Sequence, residues 1–389
     1  MAKDNHSVSP TGGRRKALPP ACIALLLAIL AISFGSRALA QTATPGTTDP
    51  SQPFFAPAPP AGFDPVGASD ADLKTYGFPP RPALVSAAYA NWVRIVTAAK
   101  TPIASPTLQR TNIIHGPAKN SGQIGGVADT GYSSANWSGI GVTGSSPNYF
   151  KANGSYVVDV FSVPAINTSV ENCSYGPYYA TIWAGFDGYG YGNGAYDVLQ
   201  AGVDAIACGT ASYQVWFEWW TWGCDPNTQP TCGENVIPNF PVHQGDTIVV
   251  VVTYYSASPN GNAFIADYGT GQYTSVWFNQ ATSPICNCPY SGDTAEWIVE
   301  RSGHGSPIVY YDLADYGYFY MEGTYNGILP GSGPASGPDY FTMICMTQYP
   351  WIPSNACANG TTLSYVSSYN PTAGQIVFTP TGPTIQWNQ

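Results

Sequence analysis

Only 9% of the 389 residues are charged, so runs that set carboxylates and amides among large aromatics stand out. Side chains of a β-strand alternate between two faces. In the run 295–300, Ala295, Trp297 and Val299 fall on one face, and Glu296, Ile298 and Glu300 on the other. In the run 198–204, apolar Leu199, Ala201 and Val203 oppose Gln200, Gly202 and Asp204. Trp216, Glu218 and Trp220 share a face, as do Trp183, Gly185 and Asp187. Taken singly, each polar residue reads as the solvent side of a half-exposed sheet. Taken together, they describe a concave binding surface.

The residue types define what such a surface could do. A glutamate, with a reference pKa of about 4.3, is still an anion in acid where histidine is protonated, so it can act as a base toward water. A glutamine can accept from that water through its carbonyl and donate from its amide to an oxyanion at any pH. That combination suits amide hydrolysis in acid. Two glutamates could instead serve a glycoside hydrolase, but Glu296 and Glu300 lie about 13 Å apart on a straight strand, against carboxyl separations of roughly 5 to 9.5 Å in that chemistry. A carbohydrate-binding module is the non-enzymatic alternative, because Trp and Tyr faces stack on sugar rings.

The elements that must position these residues are short strands. Aromatics make up 14% of the chain, with 42 Gly and 35 Pro, a composition of strands and turns rather than long helices. From Tyr132 onward, apolar runs alternate with Gly, Pro, Asn and Ser clusters, which predicts an all-β fold, a jelly-roll or lectin-like β-sandwich of two antiparallel sheets. Strands are expected at 155–163, 179–186, 197–203, 213–221, 247–255, 273–278, 295–300 and 375–380.

Charge divides the chain. Residues 130–389 hold 17 Asp and Glu against two basic residues, Lys151 and Arg301, whereas 41–129 hold six Lys and Arg against five acids. A domain so poor in cations gains little positive charge when its carboxylates protonate, which suits low pH. It also has no basic stripe for nucleic acid. The first 40 residues read as an export signal: Arg14, Arg15 and Lys16 precede the apolar run 21–34, with a small-residue cleavage site ending at Ala40. A secreted, extracellular or periplasmic protein is expected, without a membrane span. Residues 41–129 then read as a propeptide whose Lys74, Arg81, Arg94, Lys100, Arg110 and Lys119 pair with the acidic domain at neutral pH. Residues 130–389 read as the functional domain.

Of nine cysteines, Cys22 lies in the signal, and the other eight suit disulfides in an exported chain. Cys224 with Cys232, and Cys345 with Cys357, have the spacing of loop staples; the remaining connectivity stays open. Nothing calls for a metal or an organic cofactor, and a monomer is the default. Asp129-Thr130-Gly131 lacks the second triplet an aspartic peptidase needs.

Five segments in order, Asn136-Trp137-Ser138-Gly139, Trp183-Ala184-Gly185-Phe186-Asp187-Gly188, Leu199-Gln200-Ala201-Gly202-Val203-Asp204, Trp216-Phe217-Glu218-Trp219-Trp220 and Ala295-Glu296-Trp297-Ile298-Val299-Glu300, resemble the motif series of the glutamic peptidases, or eqolisins. The resemblance spans the chain from about Tyr132 to its end. It implies a preproprotein with endopeptidase activity in acid toward protein or peptide substrates, and a propeptide acting as intramolecular inhibitor. It puts the catalytic pair on Gln200 and Glu300, with Trp137, Trp183, Asp187, Asp204 and Glu218 lining or supporting the cleft. Trp220 stands where the family usually has tyrosine, and the Cys-bounded insertion 224–232 follows it; both bear on subsite preference.

Overall fold

The computed structural model describes residues 52–117, 132–144, 148–170, 173, 176–188, 196–229, 231–258, 260–305, 308–330, 340–347, 362–370 and 373–380. The export-signal reading of residues 1–40, and the 118–131 stretch that holds the expected domain boundary, lie outside them.

From residue 132 onward the longer elements are strands. They are β1 (Trp137–Thr143), β2 (Ser155–Ser162), β3 (Tyr178–Phe186), β4 (Asp197–Ala207), β5 (Ala211–Thr221), β6 (Thr247–Tyr254), β7 (Gly261–Asp267), β8 (Gln272–Phe278), β9 (Thr294–Glu300), β10 (Phe319–Tyr325), β11 (Tyr340–Thr347), β12 (Thr362–Asn370) and β13 (Gln375–Pro380). All eight expected strands form. One layer runs β5-β4-β3-β9-β1-β11, and the other runs β13-β10-β2-β6-β7-β8, with every neighbouring pair antiparallel. β12 joins them at one edge by pairing with both β11 and β13. The expected β-sandwich is the fold.

Both outer faces of the sandwich are covered, which explains strands that are apolar on both sides. Along β6, Val250 and Val252 enter the core between the layers, with Leu199, Ala201 and Trp297, while Val249 and Val251 face outward. They are covered by the segment that precedes residue 132. That segment contains α1 (Asp70–Thr75), capped by Ser69 Oγ accepting from the Asp72 N–H at 3.1 Å, and α2 (Ala87–Ala98). Ala88, Trp92, Ile95 and Val96 recur at helical spacing and are buried; the last three pack on Val158, Val249, Val251 and Phe264. Burying each large side chain contributes roughly 1.5–3 kcal/mol.

The same segment then crosses to the opposite outer face. There Gln109–Arg110 pair with Asn235–Val236 and Ile113–Ile114 pair with Gly303–His304, whereas Phe54–Phe55, ahead of α1, pair with β8 at the edge of the layer that α2 covers. Its cations do little of this binding. Among its described Lys and Arg residues, only Arg94 pairs with a carboxylate beyond residue 130, an exposed contact to Glu322 at 3.3 Å. Lys74 instead lies over the Tyr255 ring. The contact is chiefly apolar and main-chain, so the expected ionic latch is reduced to one pair worth about 0–1 kcal/mol.

The expected Cys224–Cys232 bridge is present, beside Cys173–Cys208 and Cys286–Cys288. Cys345 is disulfide-bonded as well; its expected partner, Cys357, lies outside the described residues.

Candidate active site

The outer face of β5, β4, β3, β9 and β1 carries the polar residues singled out by strand alternation. Register sets their positions: Gln200 on β4 lies opposite Glu218 on β5 and Gly185 on β3, and Glu300 at the end of β9 lies opposite Trp137 on β1 and Thr181 on β3. Gly202 sits between Gln200 and Asp204 because nothing larger fits there; a Cβ would lie 2.1 Å from the Ile182 carbonyl oxygen and 2.7 Å from Trp183 Cβ. Trp137, Trp183, Trp216 and Trp220 wall the surface. Gln200, Asp204, Glu218 and Glu300 are all buried.

Glu300 is the best-coordinated carboxylate of the group. Trp183 Nε1 donates to its Oε2 at 2.8 Å, and Asn136 Nδ2 donates to its Oε1 at 3.1 Å. Trp137 meets Trp183 edge-on, with ring centroids 4.9 Å apart. Burial pushes the Glu300 carboxyl well above the usual carboxylate range, while the Trp137 and Trp183 indoles, the Gly116 main chain and Asn136 favour the anion. Burial likewise raises Glu218, which the Glu234 and Glu300 charges raise further, and Asp204, which Glu234 raises further.

The surface is filled by residues 113–117. Gln200 Nε2 donates to the His115 carbonyl oxygen at 2.5 Å, and the His115 N–H donates to Glu218 Oε2 at 2.8 Å. Asn136 Nδ2 donates to the Gly116 carbonyl oxygen at 2.7 Å. The His115 ring stacks on Trp216 with centroids 3.9 Å apart, and its Nε2 lies 2.8 Å from Glu234 Oε2. Thr111 Oγ1 also donates to Glu234, and the Ile113 carbonyl accepts from the Glu234 N–H. Burial lowers His115 to about 4 and raises Glu234 to about 7, so at neutral pH the imidazole is uncharged.

Chemically, Gln200 and Glu300 address one main-chain unit, with an amide donor on the carbonyl and a carboxyl beside the next residue. Gln200 Oε1 makes no protein hydrogen bond and remains the acceptor available to a water. A sequence scan over residues 135–362 decides the affiliation, since it matches the Peptidase A4 family across more than half of the chain. The chain belongs to the Peptidase A4 family. It is a glutamic-type endopeptidase, a hydrolase of peptide bonds. Among solved structures, this A4 peptidase is similar to Scytalido-glutamic peptidase bound to a peptide-based transition-state analogue, at 18% identity and a TM-score of 0.40, over 63% of this chain and 98% of that one. A weaker likeness, at 12% identity and a TM-score of 0.24, links 57% of this chain to 26% of tailspike protein 2 from Escherichia coli O157:H7 bacteriophage CAB120. No curated protein matches the sequence.

The structure of the A4 peptidase brings Trp137, Trp183, Gln200, Asp204, Glu218, Trp220 and Glu300 to one surface but sets Asp187 apart. Asp187 lies just past the end of β3 with φ +67° and accepts from the Gly292, Asp293 and Thr294 N–H groups at 2.7, 2.7 and 3.3 Å. It belongs electrostatically with Asp197 and Glu296, and it supports the start of β9 rather than touching residues 113–117. Glu296 and Glu300 therefore occupy separate clusters. Asn136, Trp216, Glu234 and His115 complete the site, although the sequence assigned none of them a role in it. Asn136 and Trp216 stood inside the quoted motifs, and Glu234 follows the Cys224–Cys232 insertion that delivers it. Nothing in sequence spacing pointed to His115.

His115, Asp204 and Glu234 bring metal-ligating atoms within 4.8 Å of one another. Gln214 Nε2 donates to both Asp204 and Glu234, at 2.9 and 3.2 Å. An amide donor thus stands between the two carboxyls, where a cation would need acceptors alone. The cluster fits a shared proton rather than a metal ion.

Proposed function

We propose that this A4 peptidase is a secreted endopeptidase that works in acid, with Gln200 and Glu300 activating a water molecule against the substrate amide. Glu300 takes the proton from water and returns it to the leaving amine. Gln200 accepts from the water through Oε1 and donates from Nε2 to the oxyanion. Asn136 and Trp183 hold the Glu300 carboxylate, and Glu218 takes the main-chain N–H of the residue before the scissile bond. Residues 41–129 act as the propeptide and residues 130–389 as the catalytic domain.

One observation carries the reading: the Gln200 amide grips the His115 carbonyl, and the Glu300 carboxyl is joined to the next residue through Asn136, whose Nδ2 donates to both Glu300 Oε1 and the Gly116 carbonyl. Acid function has separate support. Asp159, Asp187, Asp197, Asp204, Glu218, Glu234 and Glu296 are buried with their carboxyls raised, so the fold favours these acids protonated, while the Trp183 and Asn136 donors favour the Glu300 anion that the chemistry needs. Export agrees with the disulfides, and no described helix is long and apolar enough to cross a membrane.

The test is hydrolysis of denatured casein from pH 2 to 7 by the acid-treated protein in the presence of pepstatin. Internal cuts confined to acid and insensitive to pepstatin are expected. An inactive protein, or activity that peaks near neutrality, overturns the proposal.

A further inference from the structure

We infer that His115–Gly116 is the peptide bond this enzyme cuts in its own chain, and that its cleft accepts a flat, hydrogen-bonding side chain before the scissile bond and glycine after it. The inference rests on the Gln200/Glu300 chemistry proposed above and assigns that chemistry a bond.

The segment lies in the cleft as a substrate would. It is extended, with Thr111 and Ile113 hydrogen-bonded to the main chain of Glu234 on one edge, and Ile113–Ile114 paired with Gly303–His304 on the other. Enzymes bind extended peptides by such strand addition, leaving specificity to pockets for alternate side chains. Within this frame His115–Gly116 meets the reacting groups in the productive direction. Its carbonyl oxygen receives the Gln200 amide, and Glu300 stands on the Gly116 side, where Asn136 Nδ2 donates to both Glu300 Oε1 and the Gly116 carbonyl and the Gly116 main chain favours the carboxylate; Glu300 Oε2 also lies 3.8 Å from His115 Nδ1. A segment bound in reverse would bring its carbonyl to Glu300. The flanking polar groups are held as well, with the His115 N–H on Glu218 and the Gly116 carbonyl on Asn136.

The two side-chain positions are built unequally. On the His115 side, Trp216 offers a flat face and Glu234 a hydrogen-bonding end. On the Gly116 side there is no room. A Cβ there would lie 2.7 Å from Trp220 Cε2 and 2.8 Å from Cδ2, so the residue after the bond must be glycine unless the indole moves. This gives Trp220 a selective role as the wall beneath the leaving residue.

The step balances with one water. Water adds through oxygen to the His115 carbonyl carbon and gives a proton to Glu300, while the oxyanion rests on Gln200 Nε2–H. The intermediate collapses, the C–N bond breaks, and Glu300 returns the proton to the Gly116 nitrogen. The products are a carboxyl group on His115 and an amino group on Gly116.

The test is to bring purified full-length protein from pH 7 to pH 4 and follow intact masses from the earliest times, beside Glu300→Gln and Gly116→Val. Casein hydrolysis and cleavage of a synthetic peptide of residues Gln109 to Pro117 are measured on the processed enzyme. The first N-terminal fragment should end at His115 and be absent in Glu300→Gln. Gly116→Val should form it about a hundredfold more slowly, as expected for displacing the reacting atoms by about an ångström, and the peptide should be cut between His and Gly. If casein is hydrolysed but the first cut falls elsewhere and the peptide stays intact, the assignment is overturned and the peptidase reading stands. Cleavage at His115–Gly116 in Glu300→Gln overturns self-processing. If neither casein nor the chain is cut, the proposed function itself fails.

Discussion

Asp187 accepts three main-chain N–H groups from Gly292 to Thr294, yet burial outweighs those bonds and raises its carboxyl from 3.8 to about 7. Between those values the folded protein holds a proton that the unfolded chain has lost. Its contribution to stability is therefore complete below about pH 4 and gone once the pH has risen through 7. A shift of about three units corresponds to about 4 kcal/mol, a large share of a typical domain stability of 5–15 kcal/mol. Glu234, raised from 4.5 to about 7, acts in the same direction. His115 acts in the opposite one: lowered from 6.5 to about 4, it costs stability as pH falls through that window, which offsets about one carboxylate. The other raised carboxyls decide the sign, so stability falls from pH 4.5 to 8. Urea unfolding of the full-length Glu300→Gln protein, which blocks self-cleavage, should show the midpoint falling across this range. Asp187→Asn, which imitates the protonated acid, should cut the loss by up to about 4 kcal/mol. A midpoint that is level or rises with pH, or an Asp187→Asn variant that loses as much as its parent, refutes the reasoning.

Trp183→Phe removes the indole donor to Glu300 Oε2; a hydrogen bond to a charged group is worth roughly 1.5–3 kcal/mol, so the acidic limb of the kcat/KM profile should move up by about one to two pH units. An unchanged limb would show that Trp183 does not stabilise the anion. His115→Ala loses the Trp216 stack and the Glu234 bond, which should weaken the plug and raise precursor activity on a short peptide at least tenfold before processing, measured as initial rate. A precursor no more active than the parent would place the inhibitory contact elsewhere.

The site was readable because the strands that carry it alternate faithfully. Glu296, Ile298 and Glu300 did separate from Ala295, Trp297 and Val299, and Leu199 from Gln200. What alternation could not show is that the polar face is covered. A sequence pattern cannot distinguish a solvated face from one filled by residues 85 or more positions earlier, so Gln200 and Glu300 read as exposed when they are buried. The strand at Gly261–Asp267 went unnoticed because Gly, Asn and two Ala dilute its β-propensity. The presegment misled in a different way. Its excess of Lys and Arg suggested ion pairs, whereas attachment rests on Trp92, Ile95 and Val96 packing and on main-chain pairing, with His115 supplying the contact inside the cleft. Spacing reveals periodic packing, and a single histidine aimed across the molecule has no period.

The central claim is that Gln200 and Glu300 perform the chemistry. It is tested most directly by kcat/KM of the processed enzyme on the Gln109–Pro117 peptide at pH 4, compared with Gln200→Ala and Glu300→Gln catalytic domains freed of the residues before Gly116 by an external protease. Losing one oxyanion donor costs about 10²–10³-fold, so each variant should fall at least a hundredfold through kcat, with its far-UV spectrum unchanged. A folded variant that keeps activity within tenfold of the parent would contradict the account.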